Sequence, residues 1–94
     1  MVKKCLKIAL DNGVPSTFIR SFVQVHARRL GLEGVAQTIV DEGLVRIVVC
    51  GHKDNVEEFL DVLHKGTPSY SPEQIEVEPF LKDKDYRGVF RIIE

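Results

Sequence analysis

Apolar and polar positions alternate from Cys5 to Leu10, with Leu6, Ile8 and Leu10 on one side and Cys5, Lys7 and Ala9 on the other. A period of two is that of a strand with one buried face. Asp11-Asn12-Gly13 ends it, and the period then becomes helical. Ile19, Phe22, Val23, Ala27 and Leu30 make one stripe of a helix from about Phe18 to Leu30, closed by Gly31 as its C-terminal cap. Gly34 to Val40 reads as a second strand, Asp41-Glu42-Gly43 as a hairpin loop with a left-handed glycine, and Leu44 to Cys50 as a third strand. Asp54-Asn55-Val56-Glu57 has the form of a capping box with Asp54 as the cap. The helix behind it buries Val56, Phe59, Leu60 and Leu63 and stops at Gly66-Thr67-Pro68. After a turn over Ser69 to Pro72, Gln74 to Phe80 alternates as a fourth strand. Leu81 to Gly88 is a charged loop, and Val89 to Ile93 a last short strand with Phe90 and Ile92 facing one way.

The order is therefore βαββαββ. Right-handed crossovers turn it into an α+β, ferredoxin-like split βαβ sandwich, with two helices on one face of an antiparallel sheet. The first and third strands become central neighbours. Leu6, Ile8, Phe22, Leu30, Ile47, Val49, Phe59, Leu63, Ile75 and Phe90 are the expected core. With no linker or repeat in 94 residues, one domain over 1–94 is expected. Such folds host RNA binders, metal chaperones, regulatory modules and enzymes, so function has to come from a site.

Composition removes several classes. The chain is 44% hydrophobic, as a folded protein is, and its net charge of −1 offers no basic field to nucleic acid. Phe22, Tyr70 and Phe80 do not form the paired aromatic motif of sheet-based RNA binders. The apolar run behind Met1-Val2-Lys3-Lys4 is broken by Lys7 and ends at Asp11, too short for a signal or a membrane span. A cytoplasmic monomer with no membrane contact is the default expectation. His26, His52 and His64 are scattered and Cys5 and Cys50 lie far apart, so a metal site is not expected. The two cysteines should meet on the face the helices leave open, because antiparallel neighbours place a strand start beside a strand end. A disulfide is geometrically allowed there, although a reducing cytoplasm favours the thiols.

The stretch with chemistry is Val14-Pro15-Ser16-Thr17-Phe18-Ile19-Arg20. A loop opening a helix presents backbone N–H groups without intrahelical partners, and the helix dipole adds to their pull on an anion. The planar guanidinium of Arg20 can grip two oxygens of a phosphate or carboxylate. No histidine or carboxylate is placed to activate Ser16 or Thr17, so these hydroxyls are read as helix caps. Arg28 and Arg29 are read as solvated charges in the last helical turn, Asp41 and Glu42 as hairpin residues, and Tyr70 and Tyr86 as surface aromatics.

From end to end the chain resembles an acylphosphatase. The matching pieces are Val14, then Phe18 with Arg20 closing the loop (V-Q-G-V-x-F-R in the family), and Leu30-Gly31-Leu32-Glu33-Gly34 (L-G-L-x-G). Next come Gly43-Leu44-Val45-Arg46-Ile47, Gly51, the Val56/Phe59/Leu63 helix, Gly66-Thr67-Pro68, and Phe90-Arg91-Ile92 (F-x-I). Spacings hold, with one extra residue in the Asp41 to Gly43 hairpin. The resemblance implies a small cytoplasmic hydrolase that cleaves the carboxyl-phosphate bond of acyl phosphates without metal or cofactor. It implies that the loop amides and Arg20 hold the phosphate, and that the residue at position 38 holds the attacking water.

At three points the sequence departs from the family. Thr38 stands where the family has Asn, with one polar atom where Asn has two. Pro15 and Ser16 stand where it has Gln and Gly, and proline has no N–H to offer. Asn12 replaces a glycine at the loop's entry. Four readings follow: an acylphosphatase slowed by Thr38; an impaired relative that binds phosphate or sulfate; an interaction module in which Arg20 pairs with a carboxylate; and, last, an RNA binder.

Overall fold

A computed structural model describes residues 3–11, 14, 16–66, 75–79 and 89–93. The strand at the start runs from Lys3 to Asp11 (β1) and is followed by a helical run in three parts. These are α1 (Ser16–Phe18), a π-helical turn (Ile19–Val23) and α2 (Gln24–Arg29). Then come β2 (Glu33–Ile39), a 3-10 turn (Val40–Glu42), β3 (Leu44–His52), α3 (Lys53–Lys65), β4 (Ile75–Pro79) and β5 (Phe90–Ile93). The expected turn region, the charged loop, Gln74, Phe80, Tyr70 and Tyr86 lie outside the described residues.

The sheet order is β4-β1-β3-β2-β5, with β1 and β3 paired antiparallel at its centre. Strand alternation puts Leu6, Ile8 and Leu10 of β1 in register with Val49, Ile47 and Val45 of β3. All six are at most 5% exposed. They meet Ile19, Val23 and Ala27 of the helical run and Val56, Phe59 and Leu63 of α3 in one apolar cluster. Each of the larger of these side chains stabilises the fold by roughly 1.5–3 kcal/mol. Among the described residues no polar or charged side chain is buried.

Four expectations need correction. The sheet is mixed, not wholly antiparallel, because β5 runs parallel to β2. By the antiparallel pairings β4 leaves the sheet at the end where β1 begins, and β5 enters at the far edge from that same end. The first helix is not α-helical throughout, since the Gln24 N–H bonds to the Ile19 carbonyl five residues back. Helix α3 is capped by His52, not Asp54: β3 runs straight into it, and His52 Nδ1 accepts from the Asp54 N–H at 3.3 Å. Phe22 and Ile75 pack against the core while remaining partly exposed.

One glycine is required by packing. Gly34 has φ +147°, and a Cβ there would run into the Val48 carbonyl across the β2–β3 pair. Gly43 takes the left-handed conformation expected of the hairpin, with φ 64°.

Candidate active site

The helical run begins at Ser16, five positions after β1 ends at Asp11. Val14 is half-buried and packs on the core, while Phe18 and Ile19 are buried at 5% exposure each. These apolar anchors tie the start of the run to the sheet. Between them the polar positions point outward: Thr17 and Arg20 are exposed. Ser16 is the first residue of α1, and Pro15 lies outside the described residues. Arg20 sits within the π-helical turn. Such turns are rare and are frequent at functional sites. Nothing in the sequence marked it, since spacings of four between Ile19, Val23 and Ala27 suit an α-helix equally well.

Three rings follow along the run, from buried Phe18 to half-buried Phe22 and His26. Phe18 and Phe22 have centroids 4.8 Å apart, and Phe22 and His26 meet edge-on at 4.6 Å. Arg29 Nη2 reaches His26 Nδ1 at 3.2 Å and Glu58 at 3.4 Å, joining α2 to α3. Arg29 is thus a bridge between helices where the sequence suggested a solvated charge, and Arg28 is exposed. Partial burial and the Arg29 cation lower the His26 pKa, and the Glu58 carboxylate opposes them.

Thr38 is placed by register. Leu10 and Thr38 both pair with Val45, so the three form one row across β1, β3 and β2. Gly34 and Ala36 precede Thr38 on the helix-bearing face, in register with buried Val49 and Ile47. Thr38 itself is exposed, at the end of the sheet where β1 passes into the loop. Two strand spacings, roughly 9–10 Å, separate its backbone from that of Leu10. Thr38 therefore lies at the same end of the sheet as the last residues of β1, on the face the helices cover. Asp41 and Glu42 are exposed in the 3-10 turn beyond it, where Glu42 pairs with Arg46 at 3.4 Å.

Cys5 and Cys50 stand opposite each other near the other end of the β1–β3 pair, with Cα atoms 4.1 Å apart, and are joined as a disulfide. No group of three His, Cys, Asp or Glu side chains suited to a metal occurs among the described residues.

A family model described as acylphosphatase matches residues 14–92. The chain belongs to the acylphosphatase family. A Dehalococcoides mccartyi acylphosphatase is 36% identical over 88 residues, covering 94% of this chain and 96% of its own. One from Caldivirga maquilingensis is 32% identical over 83 residues, covering 88% and 87%. The fold matches the crystal structure of acylphosphatase from Bacillus subtilis with a TM-score of 0.81 at 24% identity, over 99% of this chain and all of that one. Acylphosphatases are hydrolases that act on the carboxyl-phosphate bond of small acyl phosphates.

Proposed function

We propose that the reaction is carried by Arg20, Thr38 and the backbone amides of the loop from Val14 to Arg20, with no metal or cofactor. The observation that supports this reading is the row Leu10–Val45–Thr38, two strand spacings wide, at the end of the sheet where β1 ends. The amides and the Arg20 guanidinium hold the phosphoryl oxygens and stabilise the charge that develops on them. A water held by the Thr38 hydroxyl attacks phosphorus as the bond to the acyl oxygen breaks. The electron pair leaves on the carboxylate, and the water's proton passes to solvent. Acyl phosphates carry a good leaving group, so placing the water is most of the work. Thr38 gives that water a single hydrogen-bonding atom on a short stem, and Pro15 removes one amide, so turnover is slow for the family. The protein acts as a monomeric single domain over 1–94 in the cytoplasm. No helix among the described residues is long and apolar enough to cross a membrane.

The test is phosphate release from acetyl phosphate by the native protein and by Arg20→Ala. Turnover that Arg20→Ala abolishes supports the reading. Saturable phosphate binding without turnover would instead identify an impaired, anion-binding relative, and activity indifferent to Arg20→Ala would move the site elsewhere.

A further inference from the structure

The face of the sheet that carries no helix is ordered in rows by the strand register. One row reads Glu76, Ala9, Arg46, Gln37, Ile93, and the next reads Glu78, Lys7, Val48, Val35, Arg91. Ala9 is the shortest side chain of its row and stands between two long ones. A depression opens over it, a cavity of about 290 Å³ lined by Lys7, Ala9, Leu44, Arg46, Glu76 and Glu78. That volume is at the small end for ligand sites.

Its walls differ in sign. Glu76 of β4 stands on one side of Ala9 and Arg46 of β3 on the other, with Lys7 of β1 and Glu78 of β4 at one end. Lys7 and Glu78 close on each other at 2.9 Å. Arg46 touches Glu42 with Nη2 at 3.4 Å, which leaves other donors of its guanidinium unspent. Glu76 enters no ion pair among the described residues. A simple anion would face two carboxylates here, and a simple cation would face Lys7 and Arg46. A ligand carrying both charges satisfies each wall, while Leu44 and Ala9 offer apolar contact between them. The backbones of Glu76 and Arg46 are two strand spacings apart, roughly 9–10 Å, which their side chains shorten to the span of a small molecule.

We propose that this cavity binds a small zwitterion of the amino-acid class with an apolar side chain, its ammonium on Glu76 and its carboxylate on Arg46. The cavity lies on the opposite face from the helical run, so the proposal stands apart from the catalytic reading. Because the contacts are solvent-exposed, binding is weak and each charged contact contributes modestly.

The experiment is a titration of isotope-labelled protein with leucine, N-acetyl-leucine and leucinamide, followed by the amide resonances of Ala9, Arg46 and Glu76. Leucine should give saturable shifts at these amides, and each blocked analogue should bind about fivefold more weakly. Glu76→Gln and Arg46→Gln should each weaken leucine by a similar factor, with Glu76→Gln leaving acetyl phosphate turnover unchanged. Unaltered dispersion of the remaining resonances certifies that both variants are folded. Equal binding of the blocked analogues, shifts centred elsewhere, or no saturable shift with leucine overturns the proposal.

Discussion

The two ends of the central β1–β3 pair are built differently. Near the end where β1 begins, Cys5 and Cys50 face each other and are covalently joined. At the other end β1 runs out into a loop, and the polar residues there, Thr38 and Arg20, are exposed. Between them Leu6, Ile8 and Leu10 interlock with Val49, Ile47 and Val45 beneath the helices. The closed end and the apolar middle set the register, and register decides where Thr38 stands. A slip of one residue would turn Thr38 to the opposite face of the sheet. The open end can therefore carry polar groups that add little to stability, because their position is maintained from elsewhere.

That contrast can be broken from either side. The 45-residue span between the cysteines encloses the loop, the helical run and β2, so the cross-link acts mainly on the unfolded chain. Reduction, or Cys5→Ser with Cys50→Ser, should lower unfolding free energy by up to about 4 kcal/mol in denaturant titrations. Acyl phosphate turnover of the still-folded protein should be unchanged. A large loss of turnover at constant fold would mean that the two ends are coupled.

Arg20→Ala attacks the open end. Removing one charged donor of this kind costs on the order of 100- to 1,000-fold in rate, while the midpoint of thermal unfolding should hardly move because the side chain is exposed. Calorimetry with inorganic phosphate should show binding lost as well.

Thr38→Asn alters the open end in the opposite direction. A water displaced by about 1 Å can lower the rate on the order of a hundredfold, so the substitution should raise kcat by up to that factor with little change in KM. If the single change fails and Thr38→Asn with Pro15→Gln and Ser16→Gly succeeds, the loop is the limiting part. A native rate that Thr38→Asn leaves equal or lowers removes the water-positioning role from residue 38.

The smallest effect concerns His26, midway along the run. Its folded pKa lies below the ordinary 6.5, so the unfolded chain takes up this proton at higher pH than the folded protein does. Its contribution to stability is complete above 6.5 and is lost as pH falls through the depressed folded value. His26→Gln should flatten that acid-side slope in pH-dependent unfolding, and an unchanged slope would assign the titration to another group.

Much of this protein is determined by its sequence alone. A period of two around Leu6, Ile8 and Leu10 and a helical stripe through Ile19, Val23 and Ala27 leave few arrangements that bury both, which is why element order and central pairing were legible. The family motifs likewise pointed to Arg20 and Thr38. Other features are tertiary. The parallel course of β5 depends on the end at which the chain reaches the far edge of the sheet. The π-helical turn at Arg20 leaves the core spacing intact and so leaves no periodic trace. His52, not Asp54, caps α3 because β3 extends two residues past Cys50. The cavity over Ala9 exists only because pairing sets Glu76 and Arg46 on either side of a small residue. Local patterns record which side of an element is buried, whereas these features depend on neighbours distant in the chain, which only pairing brings together.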